Sequence, residues 1–166
     1  MRRSVCIIFA TFAFFLGNFV QLVAQNATPV SNFTYMINID CTGIIVSRYS
    51  GSEKDVVIPS TIENYPVVEL STGVFFENNY LESITIPNSV KKIGGLTFSG
   101  CTKLKTVNIG TQNIEYTKEV SPQIRGRISG MDVCIDLSGN EAFMGCRTLS
   151  LEEQKKIRHT GYRGRF

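Results

Sequence analysis

Apolar and polar positions repeat along this chain, most clearly over residues 81–103, where Leu81, Ile84, Ile86, Val90, Ile93, Phe98 and Cys101 stand among polar residues and glycines. Ile84 and Ile86 are two apart, which predicts a short strand with both side chains turned inward. Pro87 ends that strand because it has no ladder N–H to give. Val90 and Ile93 form a second apolar pair, Gly94 and Gly95 turn the chain, and Phe98 and Cys101 plug the interior of one coil. The pattern L-x-x-[IV]-x-[IL]-P-x-x-V-x-x-I-G-x-x-x-F-x-x-C restarts at Leu104, a period of 23 residues.

A period in the twenties with this spacing predicts a leucine-rich-repeat solenoid, mostly β with short 3₁₀ or helical turns, because one coil cannot bury its apolar face alone. Phe75, Phe98 and Phe143 each stand six residues before a leucine, at Leu81, Leu104 and Leu149. Phe98 and Phe143 are 45 residues apart, close to two periods, which predicts a degenerate unit between them with its strand at 135–137. Four strands are expected in all, at 56–58, 84–86, 107–109 and 135–137, with residues 111–130 as a loop insertion on one side of the stack. The repeats occupy 56–148 on this reading.

Both ends of the stack need covering. Residues 33–39 and 43–48 alternate around Asp40-Cys41-Thr42, a hairpin signal, so 33–55 reads as an N-terminal capping hairpin preceded by a flexible polar lead at 25–32. At the other end Ser150 and Glu153 form a capping box that opens a short helix, stopped by Gly161. Leu151, Gln154 and Ile157 make its apolar stripe, and 149–166 reads as the C-terminal cap.

The first residues are an address rather than a part of the fold. Arg2 and Arg3 precede an uncharged apolar run from Val5 to Leu16, and Ala24 offers a small residue for cleavage, which reads as a secretory signal peptide over 1–24. The competing membrane anchor needs about 20 apolar residues, and Gly17, Asn18 and Gln21 interrupt the run. The secreted protein should therefore begin at Gln25 or close to it, Ala27 being the other cleavage point. Mass spectrometry of exported material checks this, and an intact Met1 on membrane-extracted protein would reject it. Asn26 and Asn32 head glycosylation acceptors that matter only in a eukaryotic host. The formal charge of +3 falls to +1 once Arg2 and Arg3 leave, so nothing points to nucleic acid.

The run IPNSVKKIGGLTFSGCTKL resembles the repeat of BspA-like, or treponemal-type, leucine-rich repeat proteins. Asp55 to Ile62 with Tyr65-Pro66-Val67-Val68, Ile135 to Ser138, Ala142 to Cys146, and the ending through Gly161-Tyr162 are similar to other pieces of that family. The resemblance implies export or display at a bacterial surface and a role as an adhesin or protein-interaction module. Cys41 stands where the family's hairpin turn favours glycine, and Thr97 replaces the usual alanine before Phe98.

No catalytic constellation emerges. His159 is the one histidine and sits in the cap helix, no C-x-x-C pair exists for zinc, and no glycine loop is placed to cradle phosphate. No enzyme activity, cofactor or metal is expected. Once Cys6 has left with the signal, Cys41, Cys101, Cys134 and Cys146 allow three pairings. Cys101 and Cys146 occupy equivalent template positions and read as buried, inert thiols, whereas Cys41 and Cys134 fall on exposed parities, where either could react. The predicted strand face carries Asp55, Val57, Ser83, Thr85, Thr106, Asn108, Cys134 and Asp136, without the Trp, Tyr or Arg that usually anchor interfaces. The insertion carries Tyr116, Lys118, Arg125 and Arg127. A protein or glycan partner, host matrix or cell surface among them, is therefore expected to meet Tyr116, Arg125 and Arg127, with Thr106 and Asn108 at the edge. The rival reading is a structural remnant of a longer repeat protein without its own ligand.

Overall fold

The structure is a computed structural model that describes residues 27–117 and 141–166, and between them the backbone of a small hairpin, Arg127–Ile128 against Met131–Asp132. The signal segment, Lys118, Arg125, Cys134 and the strand expected at 135–137 lie outside the described residues.

The chain winds as a solenoid held by two ladders of parallel strands. The first is β3 (Asp55–Val57), β6 (Ser83–Ile86) and β8 (Thr106–Ile109). Ser83 faces Thr106 and Ile86 faces Ile109, so the 23-residue period is the register of this ladder. Ile84, Ile86 and Val107 point inward and are buried, as the alternation requires. Asp55 faces Ser83, five residues more than one period. That first coil houses an extra hairpin, β4 (Thr61–Ile62) against β5 (Tyr65–Leu70), closed by Glu63 and Asn64 at φ of 50° and 67°. Two successive positive φ values are the turn that matches strand twist.

The second ladder runs β2 (Ile44–Tyr49), β5, β7 (Lys92–Ile93) and β9 (Glu115–Tyr116), all parallel, with β1 (Phe33–Ile37) antiparallel on the outside of β2. Gly94, directly after β7, permits the close packing of successive coils. A Cβ there would lie 2.3 Å from the Thr72 backbone nitrogen, closer than any side chain tolerates.

Between the ladders the rings stack in a column. Phe33, Tyr49, Phe75, Phe98 and Phe143 follow one another with centroids 5.2, 4.9, 5.3 and 5.0 Å apart. The turns carrying them are bonded in the same rhythm. Phe75 N donates to Thr97 O and Glu77 N to Ser99 O, both at 2.8 Å, and one coil on Phe98 N donates to Ala142 O and Gly100 N to Met144 O, again at 2.8 Å. The Phe143 turn therefore lies directly on the Phe98 turn. This corrects the expectation of a degenerate unit between them: β8, β9 and the Phe143 turn complete a single coil, and 22 of the 45 residues separating Phe98 from Phe143 are surplus to it. The surplus enters after β9, not at Thr111, since Ile114 is buried and Glu115–Tyr116 pairs with Lys92–Ile93. The first ladder accordingly has three strands among the described residues, where four were expected.

The core threonine and the two core thiols are matched to backbone, whereas the buried Glu141 is met by the Arg165 side chain at Oε1 and has no partner at Oε2 among the described residues. Thr97 Oγ1 lies 2.7 Å from Gly94 O and 3.0 Å from Ser71 O, so the threonine ties two coils together rather than merely adding volume. Cys101 Sγ points at Phe75 O at 3.0 Å and Cys146 Sγ at Phe98 O at 3.1 Å, the same contact one coil apart. Burial pushes both thiols up to about 12, so neither is a nucleophile at neutral pH. Unfolded thiols titrate near 9, hence their contribution is complete below that pH and is lost as pH rises towards 12.

The ends are closed by contrasting means. Thr28, in the stretch read as a flexible lead, is buried; its N–H donates to Val57 O and its Oγ1 accepts from Val57 N, both at 2.9 Å, which ties it to the outer edge of β3. At the far end α1 (Leu151–His159) is capped by Ser150, whose Oγ accepts from Glu153 N at 3.2 Å. Glu153 does not reach back to its cap; it accepts from Val107 N on the edge of β8 at 3.2 Å. The helix buries Ile157, whereas Leu151 is 74% exposed, so the expected three-residue stripe is narrower than its sequence spacing. Tyr162 adds to the cover, fully buried and edge-on to Phe143 at 5.1 Å.

Candidate interaction surface

The outward face of β3, β6 and β8 is a small polar field made by the residues that alternate with the core: Asp55, Val57, Ser83, Thr85, Thr106 and Asn108. Asn108 Nδ2 lies 3.5 Å from Thr85 Oγ1, one coil away. Along one border Glu82 is held between Lys54 at 3.3 Å and Lys105 at 2.7 Å. The hydrogen bond from Lys105, then that from Lys54, lowers the Glu82 carboxyl below its ordinary range. These groups are solvated, so the row sets charge pattern rather than stability.

On the opposite border the field drops into a groove of 540 Å³ where β6 and β8 meet α1, lined among others by Thr85, Pro87, Asn88, Asn108, Ile109 and Lys156. The helix makes the groove: Glu153 fixes α1 on the β8 edge, Lys156 is held by Glu153 at 2.5 Å, and Ile157 packs beneath. An apolar lining with a few convergent amides and one ammonium is the composition of a recognition cleft.

Thr106 and Asn108 are brought together on β8, and Asn108 opens into the groove. Tyr116 is not on a protruding loop. It occupies in β9 the place that Ile93 occupies in β7, its hydroxyl lies 2.5 Å from Thr160 Oγ1, and its ring meets Tyr162 edge-on at 5.2 Å. Burial pushes its hydroxyl up to about 12; it belongs to the packing of the last coil. Arg127 is placed by its backbone alone, in a two-residue strand, and Arg125 lies outside the described residues. Asn88 and Lys156 were missed as site candidates. Each reads locally as a turn residue or a solvated helix charge, and only the docking of α1 puts them on one cleft. Among the described residues no three of His, Cys, Asp and Glu converge as metal ligands would, and no helix is long and apolar enough to cross a membrane.

Two parallel ladders wound about a column of rings define a short solenoid of the leucine-rich-repeat class. The model of the BspA type leucine rich repeat region matches residues 68–161, more than half of the chain, and the protein belongs to that family. Among solved structures it is similar to a leucine rich repeat protein of T. pallidum, at 40% identity and a TM-score of 0.52 over 54% of this chain and 42% of that one. It is also similar to a leucine rich cell surface protein of Faecalibacterium prausnitzii, at 26% identity and a TM-score of 0.52 over 75% of this chain and 29% of that one. A leucine-rich repeat protein of Bacteroides ovatus, 22% identical, shares the fold. The chain thus spans less than half the length of the T. pallidum and F. prausnitzii proteins. No curated protein matches it.

Proposed function

We propose that this protein is a non-enzymatic interaction module, exported to or beyond a bacterial surface, that binds a protein or glycan along the β6–β8 face and in the groove against α1. The observation that carries the reading is the groove itself, where the ladder's polar face, its amides and Lys156 converge on an apolar lining. Membership of a repeat family and likeness to a cell surface protein support a binding role and a surface location. Thr106 and Asn108 lie on that face, and Arg125 and Arg127 of the surplus segment form a second contact. Tyr116 takes no part, since its ring is committed to Tyr162.

The test is capture from extracellular-matrix and cell-surface extracts with two paired variants. Thr85→Arg with Asn108→Arg fills the groove with exposed side chains and should weaken capture at least about ten-fold, roughly the loss of one good contact, at unchanged melting temperature. Arg125→Ala with Arg127→Ala should cost less. Full binding by the first pair with loss in the second would move the site to the surplus segment. Failure of the unaltered protein to capture anything would favour a repeat remnant without its own ligand.

A further inference from the structure

Strand edges invite other strands, and proteins cover or charge those they leave exposed. This solenoid has four ladder ends, and three of them are closed. Thr28 sits on β3, Glu153 takes the Val107 amide of β8, and beside β9 the Ile114 N–H donates to Thr160 O at 2.9 Å. The fourth is the outer edge of β1, where Phe33 N–H donates to Val30 O of the preceding turn while the outward backbone groups of Tyr35 and Ile37 meet no partner among the described residues.

That edge carries none of the usual deterrents. Phe33–Ile37 reads FTYMI, without a charge or a proline, and the irregularity in its pairing places the additional residue, Ser47, on β2 rather than on β1. Met36 and Ile37 are 55% and 43% exposed, and Ile39 just beyond is fully so. The hydrogen-bonding phase follows from the hairpin. Asn38 N donates to Gly43 O at 2.9 Å, so in an antiparallel ladder Met36 turns its N–H and C=O to β2 while Tyr35 and Ile37 turn theirs outward.

We infer that β1 pairs antiparallel with β1 of a second copy of this chain, about a two-fold axis through Met36. The phase allows it: with Met36 opposite Met36, Tyr35 of each copy faces Ile37 of the other, and the outward N–H and C=O groups of both residues meet in two closed hydrogen-bonded pairs. Met36 falls at the narrow, non-bonded position, where side chains approach most closely. Tyr35 and Ile37 meet as an aromatic and β-branched pair, a favourable cross-strand combination. The segment is neutral, so self-pairing places no like charges together. The second ladder becomes continuous through both molecules, and its other end, at β9, is already closed, so the assembly stops at two. Five residues on each side bury less than the roughly 800 Å² per partner of a stable interface, so the dimer is weak and depends on concentration.

Sedimentation equilibrium on the protein, in the N-terminal form found by mass, tests this. The unaltered chain should pass from monomer to dimer as its concentration rises. Met36→Lys and Met36→Glu each set like charges on the axis, and each should raise the dissociation constant at least about ten-fold with its melting temperature held. Mixed together, the two variants should associate again, because Lys then faces Glu. Leu151→Lys, which charges the exposed leucine at the opposite end, should change nothing. The pairing is overturned if the unaltered chain stays monomeric up to about 1 mM, the weak end of measurable association, in which case the edge is left for a strand of a different protein. It is equally overturned if the mixture fails to associate, or if Leu151→Lys abolishes the dimer while the Met36 variants retain it.

Discussion

Phe98→Ala should destabilise the protein by roughly 3–5 kcal/mol, the range for deleting a large aromatic side chain from a packed core. The expectation rests on position. Phe98 is fully buried in the middle of the ring column, 5.3 Å from Phe75 at an interplanar angle of 13° and 5.0 Å from Phe143 at 18°. Its removal opens a gap and interrupts both stacks, each of which adds about 0.5–1.5 kcal/mol beyond burial. The turn that carries it is bonded on both sides, so the neighbouring coils cannot collapse into the void without breaking the Phe75–Thr97 and Phe98–Ala142 bonds. A domain with 5–15 kcal/mol in hand loses a large share of its stability by such a change. Urea denaturation followed by circular dichroism measures it. A loss below about 1 kcal/mol would show that the column does not hold the coils together.

Removal of residues 149–166 should be worse, leaving a chain that does not stay folded at room temperature. Tyr162, Ile157 and Leu149 go with the segment, all buried, at roughly 1.5–3 kcal/mol each. The remaining body loses more than area. Ile114 N is parted from Thr160 O, Val107 N from Glu153, and the Phe143 ring is exposed on the side that Tyr162 covered. Water can rehydrate the amides but not the ring, so the truncated chain should aggregate through that floor. Tyr162→Ala keeps the helix and the Ile114 and Val107 amide contacts while stripping from Phe143 both the ring and the hydroxyl that accepts from Phe143 N at 3.3 Å. It should lower stability by roughly 3–5 kcal/mol yet leave the protein folded and free of aggregates. Static light scattering and thermal melting report both outcomes, and a truncated chain that stays free of aggregates with an unchanged melting temperature would remove the C-terminal segment from the role of cap.

The two predictions touch what was most and least legible in the chain. The 23-residue register, the inward pair Ile84 and Ile86, the phenylalanine column and the Ser150 cap were all readable, because each is a periodic or local signal. The second ladder was not, since β7 and β9 are two residues long and alternation cannot be recognised over two residues. That blindness produced the misplacement of Tyr116. Without β9 it looked like an exposed aromatic on a loop, whereas its register with Ile93 sets it half-buried against the core. The 45-residue spacing from Phe98 to Phe143 misled for a related reason. Near-coincidence with two periods suggested a fourth coil, and only the backbone bonds between the two turns show that they are adjacent. The candidate groove was beyond reach because it is made by a helix docking on strands some 45 residues away in sequence, Glu153 meeting Val107.

The place where the surplus residues enter has a consequence for how such a molecule can change over time. They leave the ladder after β9 and return at Glu141, in time for the Phe143 turn to take its ordinary seat on Phe98. Neither the strand register nor the ring column is altered by their presence, so the body of the protein is indifferent to their number. Closing a loop of twice the length costs only about 0.6 kcal/mol more, a small toll against the stability held by the coils. This joint is therefore a port in the scaffold. Sequence can be gained, lost or exchanged there by descent or by a designer, and a peptide tag or a foreign binding loop can be grafted at it, while the coils on either side go on stacking as before.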